Sequence, residues 1–191
     1  MDLDNDSSAQ VQISEWLVDE SHAQFIQADL DGLSNLLRDV VYGGGGVSFF
    51  VPFSIEEARA FWTEKILPDV KMGVRRVLLA CDSNNVIVGT VQIELDMPPN
   101  QVHRAAIAKL LVHPNSRGRG IAKRLMLKLE ELAKKERRTL LTLDTVSGSD
   151  AEFLYTSLGY QKVGIIPRFA RGALTPELQG TTVMYKELDQ D

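Results

Sequence analysis

AIAKLLVHPNSRGRGIA, Ala106 to Ala122, joins an apolar run to a glycine-rich loop and the start of a helix. The run Ala106 to Val112 contains a single lysine and reads as a buried strand, which His113-Pro114-Asn115-Ser116 then turns. Arg117-Gly118-Arg119-Gly120 follows. Beyond it Ile121, Leu125, Leu129 and Leu132 recur at helical spacing, with Ala122, Met126 and Ala133 beside them. Glu130/Lys134 and Glu131/Lys135 form four-apart pairs on the wet face. Strand, glycine-rich loop and helix in that order predict an α/β chain with a ligand site at the loop.

The first turn of a helix carries backbone N–H groups without partners and a partial positive charge, so it attracts anions. Gly118 and Gly120 let a ligand approach the backbone, and Arg117 and Arg119 add cations that fork onto phosphate oxygens. No G-x-x-x-x-G-K-[ST] occurs, which excludes a P-loop. A dinucleotide fold is a rival, with Asp144 as its ribose ligand, although Lys123 stands where its third glycine belongs. A solvated turn that binds nothing is the plainer alternative.

Arg117-Gly118-Arg119-Gly120-Ile121-Ala122 resembles the R-x-x-G-x-[GA] acyl-CoA signature of the GNAT N-acetyltransferases. The likeness extends to KLLVHP, similar to that family's fourth strand, and to LDTVSGSDAEFLYTSLGY, similar to its fifth strand and following helix; it covers roughly Gly43 to Leu188. Among branches of the family, the chain resembles the tabtoxin resistance acetyltransferases, through a glycine run before an aromatic, an arginine opening the fourth strand, the LDT motif and a late G-x-x-P.

Composition sets bounds. A chain of 191 residues, 44% of them hydrophobic, suffices for one domain with a sizeable core, expected over residues 11–191 behind a disordered tail at 1–10. Net charge is −5, which gives nucleic-acid binding no general electrostatic support. The one cysteine, Cys81, suits a reducing compartment and reads as an inert thiol in an apolar strand. The acidic, polar start lacks the features of a signal peptide, and no apolar segment is long enough to span a membrane, so a cytoplasmic protein without membrane contact is expected.

In chain order, Val11 to Val18 reads as a strand, and Ser21 as the cap of a helix that Gly43 to Gly46 stop. Those four glycines read as a flexible connector; the alternative is backbone pressed against something, with Phe49, Phe50 and Phe53 walling an acceptor pocket. The Ser54/Glu57 capping box opens a helix that Pro68 should end. Arg76 to Cys81 and Val86 to Asp96 form a hairpin, and Thr139 to Asp144 a strand parallel to the central one. A Ser149/Glu152 box starts a helix carrying Tyr155, and two last strands are expected around an irregular PRFARGALTPELQG link.

The resemblance implies an α/β (α+β) fold, a mixed sheet of about seven strands splayed between the fourth and fifth, with about four helices. It also implies direct transfer from acetyl-CoA to a primary amine of a small molecule, amino-acid-like or toxin-like, without a metal. Leu110, Leu111 and Val112 would lie along the pantetheine arm, with a backbone N–H near Leu111 stabilising the oxyanion. Arg117 to Ala122 would hold the pyrophosphate. Tyr155 would protonate the leaving sulfur, and Asp144 would position or deprotonate the amine. Ala106 replaces the related branch's glutamate, which leaves the base open, with His103 or Glu94 as substitutes. A homodimer, a protein N-terminal acetyltransferase, a catalytically silent acyl-CoA-binding module and a nicotinamide-dependent oxidoreductase also stay open.

Overall fold

The computed structural model describes residues 11–189, so the tail expected over 1–10 lies outside the described residues. Seven strands make one sheet in the order β1-β2-β3-β4-β5-β7-β6. They are β1 Gln12–Glu15, β2 Arg75–Cys81, β3 Ile87–Glu94, β4 Arg104–Val112, β5 Leu140–Val146, β6 Gln161–Arg171 and β7 Leu178–Glu187. Only β4 and β5 are parallel; α4, Ile121–Lys135, carries the chain back across the sheet between them. A sheet with one parallel pair rules out the dinucleotide fold, which is built on a run of parallel strands.

Both faces are covered. Leu125, Met126 and Leu129 of α4 and Tyr155 of α5, Asp150–Ser157, close one core over Val91, Ile93, Ile107 and Leu141. On the other face Leu33, Leu37 and Val41 of α1, Ala23–Tyr42, meet Trp62, Val77, Leu79 and Leu111. The cap before α1 is Asp19, which accepts from the His22 N–H and the Ser21 hydroxyl, so Ser21 supports the cap rather than forming it.

The Ser54/Glu57 box starts α2, Ile55–Ala60, with both reciprocal bonds made. The helix does not end at Pro68. It widens into a π-helical segment, Phe61–Ile66, and continues as α3, Leu67–Lys71. There the Leu67 N–H reaches back to Trp62 O, and this looser turn absorbs a proline that has no N–H to donate. The final link is also more regular than expected: β6 extends to Arg171 and β7 begins at Leu178, leaving a short turn closed by Gly172 N–H to Glu177 O.

The feature that positions the site is the divergence of β4 and β5. Their ladder holds only Arg104↔Leu140, Ala105↔Leu141 and Ala106↔Thr142, after which β4 runs on to Val112 and β5 to Val146 unpaired with each other. Along its other edge β4 stays with β3, but the register shifts between Gln92↔Ala108 and Thr90↔Leu111, so Lys109 and Leu110 together face Val91 as a bulge. Lys109 adopts φ +51°, a left-handed conformation uncommon for a lysine. The run is therefore less buried than its apolarity suggests: Ala105, Ile107 and Leu111 are buried, while Ala106, Ala108, Lys109, Leu110 and Val112 are half-buried along the divergence.

Candidate active site

The loop between β4 and α4 presents its backbone. Gly118 and Gly120 have φ +74° and +71°, and a Cβ at either would meet nothing within 4 Å, so they answer a backbone requirement and border open space. Gly120 is the N-cap of α4 and offers no side-chain cap, and the first turn has no acidic residue. The first helical bond is Arg124 N–H to Gly120 O, which leaves the N–H groups of Ile121, Ala122 and Lys123 without helical acceptors. Arg117 is exposed and directs Nε at Val112 O, 3.4 Å away; Arg119 is exposed beside it. Ile121 is buried under the loop and Ala122 half-buried. This donor-rich cradle at a helix start fits a pyrophosphate.

The tetraglycine is not a slack connector. A Cβ on Gly43 would meet Pro114 Cγ at 2.8 Å, and one on Gly46 would meet Val146 Cγ2 at 2.7 Å. These glycines press the α1–α2 segment against the ends of both diverging strands, where a side chain would hold it off. The Val51 N–H donates to Ala173 O, which joins this segment to the β6–β7 turn. Of the three phenylalanines expected to wall a pocket, Phe53 is buried in the core, and Phe49 stacks on it at 4.5 Å and edges onto Phe61 at 5.3 Å. Phe50 is exposed.

Behind the loop, Leu111 is buried, while Leu110 and Val112 lean on the opposite core. The His113 N–H bonds to Val88 O, and the alternation of the β3–β4 ladder turns the Leu111 N–H toward Thr90 as well. The Val112 N–H, one step along, falls by the same alternation on the side away from β3.

Tyr155 is buried, its ring edge-on to Tyr160 at 5.6 Å. Burial first, and the nearby Asp144 charge second, push its pKa well above the ordinary phenol value, so it stays protonated. Asp144 is exposed within β5 rather than at a turn, and Thr181 Oγ1 donates to its Oδ2 at 2.7 Å. The Ser149 cap of α5 forms, whereas Glu152 turns aside to accept from the Gly148 N–H, Lys162 and Thr182, tying the start of α5 to β6 and β7. Of the substitute bases, Glu94 pairs across β3–β4 with Ala106, but Arg75 holds its carboxylate at 2.8 Å; His103 is exposed just before β4.

One residue passed over in the sequence is prominent here. Lys109 Nζ donates to Val47 O at 3.1 Å and Ser48 Oγ at 3.0 Å, and lies 5.8 and 5.6 Å from the ring centroids of Phe49 and Phe61. Its signal was visible as the lone charge in an apolar strand.

Comparison with known proteins agrees with this geometry. A putative acetyltransferase from Acinetobacter baylyi superposes with a TM-score of 0.74 at 17% identity, covering 96% of this chain and 95% of that one. A GCN5-related N-acetyltransferase from Kribbella flavida superposes with a TM-score of 0.72 at 22% identity, covering 93% and 98%. An uncharacterised N-acetyltransferase from the hisH-hisA intergenic region of Azospirillum brasilense is 30% identical over 118 residues, 61% of this chain and 67% of its own length. The model of the acetyltransferase (GNAT) family matches residues 47–160, more than half the chain and all of the β4–loop–α4 segment. The chain belongs to that family of acyltransferases.

Proposed function

We propose that the protein transfers the acetyl group of acetyl-CoA directly to a primary amine of a small molecule. The observation that carries this reading is the unpaired edge of β4 opening onto the uncapped N-terminus of α4. A structural neighbour from Salmonella typhimurium, solved with acetyl-CoA, superposes with a TM-score of 0.70 at 17% identity. Here Arg117, Gly118, Arg119, Gly120, Ile121 and Ala122 bind the pyrophosphate, and the backbone of Leu110, Leu111 and Val112 lines the arm. Bound acetyl-CoA supplies the thioester.

The chain's own groups then divide the work. A backbone N–H near Leu111, beside the bulge, donates to the developing oxyanion, where one placed donor contributes about 3 kcal/mol. Tyr155 gives its proton to the departing sulfur; its raised pKa keeps that proton in place until then. Asp144, held by Thr181, orients the amine. Within the family, Arg104, Leu143-Asp144-Thr145 and Gly164-x-x-Pro167 support a place near the tabtoxin resistance branch, and Ala106 argues for a different acceptor. The single cysteine suits a cytoplasmic setting.

The test is an acceptor panel of amino acids, polyamines and peptides with acetyl-CoA, read by thiol release and by mass spectrometry of the products. Acetylated amine is the expected outcome. Thermal protection by acetyl-CoA without thiol release for any acceptor would instead make the protein a silent acyl-CoA-binding module.

A further inference from the structure

The β2–β5 face beneath the α1–α2 segment holds three cations, two of which bond to neutral groups. Arg75 is matched there by Asp69 and Glu94. Arg104 instead bonds to Gln101 Oε1 and Thr142 Oγ1, and Lys109 to Val47 O and Ser48 Oγ. On the same face Asp144 is a carboxylate whose hydrogen bond comes from a hydroxyl. Between Arg104 and Lys109, β4 turns only the small side chains of Ala106 and Ala108, both half-buried, to this face.

Lys109 is the costliest of these groups to leave so. Its ammonium lies against the Phe49 and Phe61 rings, partly withdrawn from water, and a charge so placed is stabilised by an opposite one. An ammonium has three N–H donors; the loop accounts for two. Burial lowers the Lys109 pKa, while Glu94 and Asp144 oppose that shift and Arg75 adds to it. A carboxylate arriving beside Nζ would supply the missing counter-charge.

We propose that Lys109 anchors a carboxylate carried by the acceptor, so that the substrates are amines with a neighbouring acid group, amino-acid-like zwitterions whose ammonium end faces Asp144. This rests on the acetyl-transfer reading above and adds the acceptor class to it. Lys109 acts as a specificity-determining residue: the carboxylate takes its third N–H, and the amine is thereby aimed at the gap between β4 and β5.

The experiment compares amino acids with their carboxamides, using thiol release from acetyl-CoA by the full chain and by Lys109→Met and Lys109→Arg. The amide's amine is less basic and more often unprotonated near neutral pH, so chemistry alone favours the amide. For the wild type, kcat/KM for the carboxylate should exceed that for the amide by at least about tenfold, the value of one charge-assisted contact. Lys109→Met should collapse the ratio toward one, and Lys109→Arg should restore part of it. Retained acetyl-CoA thermal protection checks that both variants fold. Amides accepted as well as acids by the wild type, or a ratio untouched by Lys109→Met, would overturn the assignment while leaving N-acetyl transfer standing. Turnover of polyamines or peptides alone would do the same. Failure of every amine would remove both readings together.

Discussion

The proposed coenzyme side of the cleft is one continuous segment, Leu110 to Ala122, whereas the proposed acceptor side is assembled from Gly43 to Phe53, Lys109, Asp144 and the turn at Ala173. On the first side the geometry is local: two glycines in left-handed conformations and a helix start without a cap shape the cradle wherever the segment is placed. On the second side each group owes its position to a contact made far along the chain, such as Lys109 to Val47 or Gly46 to Val146. The difference teaches that a binding site for a shared co-substrate can be carried as a motif, while a site for a particular acceptor is a property of the packing.

The largest expected effect lies on the local side. Gly120→Glu places a carboxylate at the proposed pyrophosphate site and should cost about 4 kcal/mol, or roughly a thousandfold in kcat/KM, with loss of acetyl-CoA protection in thermal unfolding. Gly120→Ala, whose Cβ would enter open space, incurs mainly the left-handed strain of about 1 kcal/mol and should keep most of the binding. Equal loss in both variants would make the loop's fold, not its ligand, the cause.

Tyr155, buried in the core beneath α4 and α5, comes next. Tyr155→Phe keeps the ring against Tyr160 and deletes only the donor, so kcat should fall on the order of a hundredfold while acetyl-CoA affinity moves by no more than a few fold. Near-wild-type turnover, with chemistry shown to limit the rate, would reduce Tyr155 to a packing residue. Its raised pKa also fixes a sign: the acid remains protonated through pH 9, so kcat/KM should climb with pH as the acceptor amine deprotonates, without a falling limb from Tyr155. A profile that drops between about pH 8 and 9 would contradict this.

The smallest effect distinguishes the packed loop from a connector. Gly46→Ala drives a Cβ to 2.7 Å from Val146 Cγ2 and should destabilise by about 1 kcal/mol, with acceptor KM rising several-fold and acetyl-CoA binding unchanged. In a slack connector the same change would stabilise by about 0.4–1 kcal/mol through the unfolded chain. Denaturant midpoints decide between the two signs.

Much of the fold was legible in the residues because its cues are short-range. The Ser54/Glu57 box, the Gly43 stop, the helical stripe from Ile121 to Leu132 and the β2–β3 hairpin each depend on neighbours a few positions apart, and each is found. The RGRGIA loop belongs with them, since positive φ and an uncapped helix start are written in the local sequence. Local propensity stops a helix at Pro68, whereas the π-helical segment Phe61–Ile66 carries the chain through it. What only the tertiary structure decided is where β4 parts from β5, that a bulge interrupts β4 at Lys109 and Leu110, and that the glycine run is wedged between Pro114 and Val146. Those outcomes depend on strand register and on contacts between residues distant along the chain, and a lysine in an apolar run acquires its meaning only from the loop and the rings that fold down upon it.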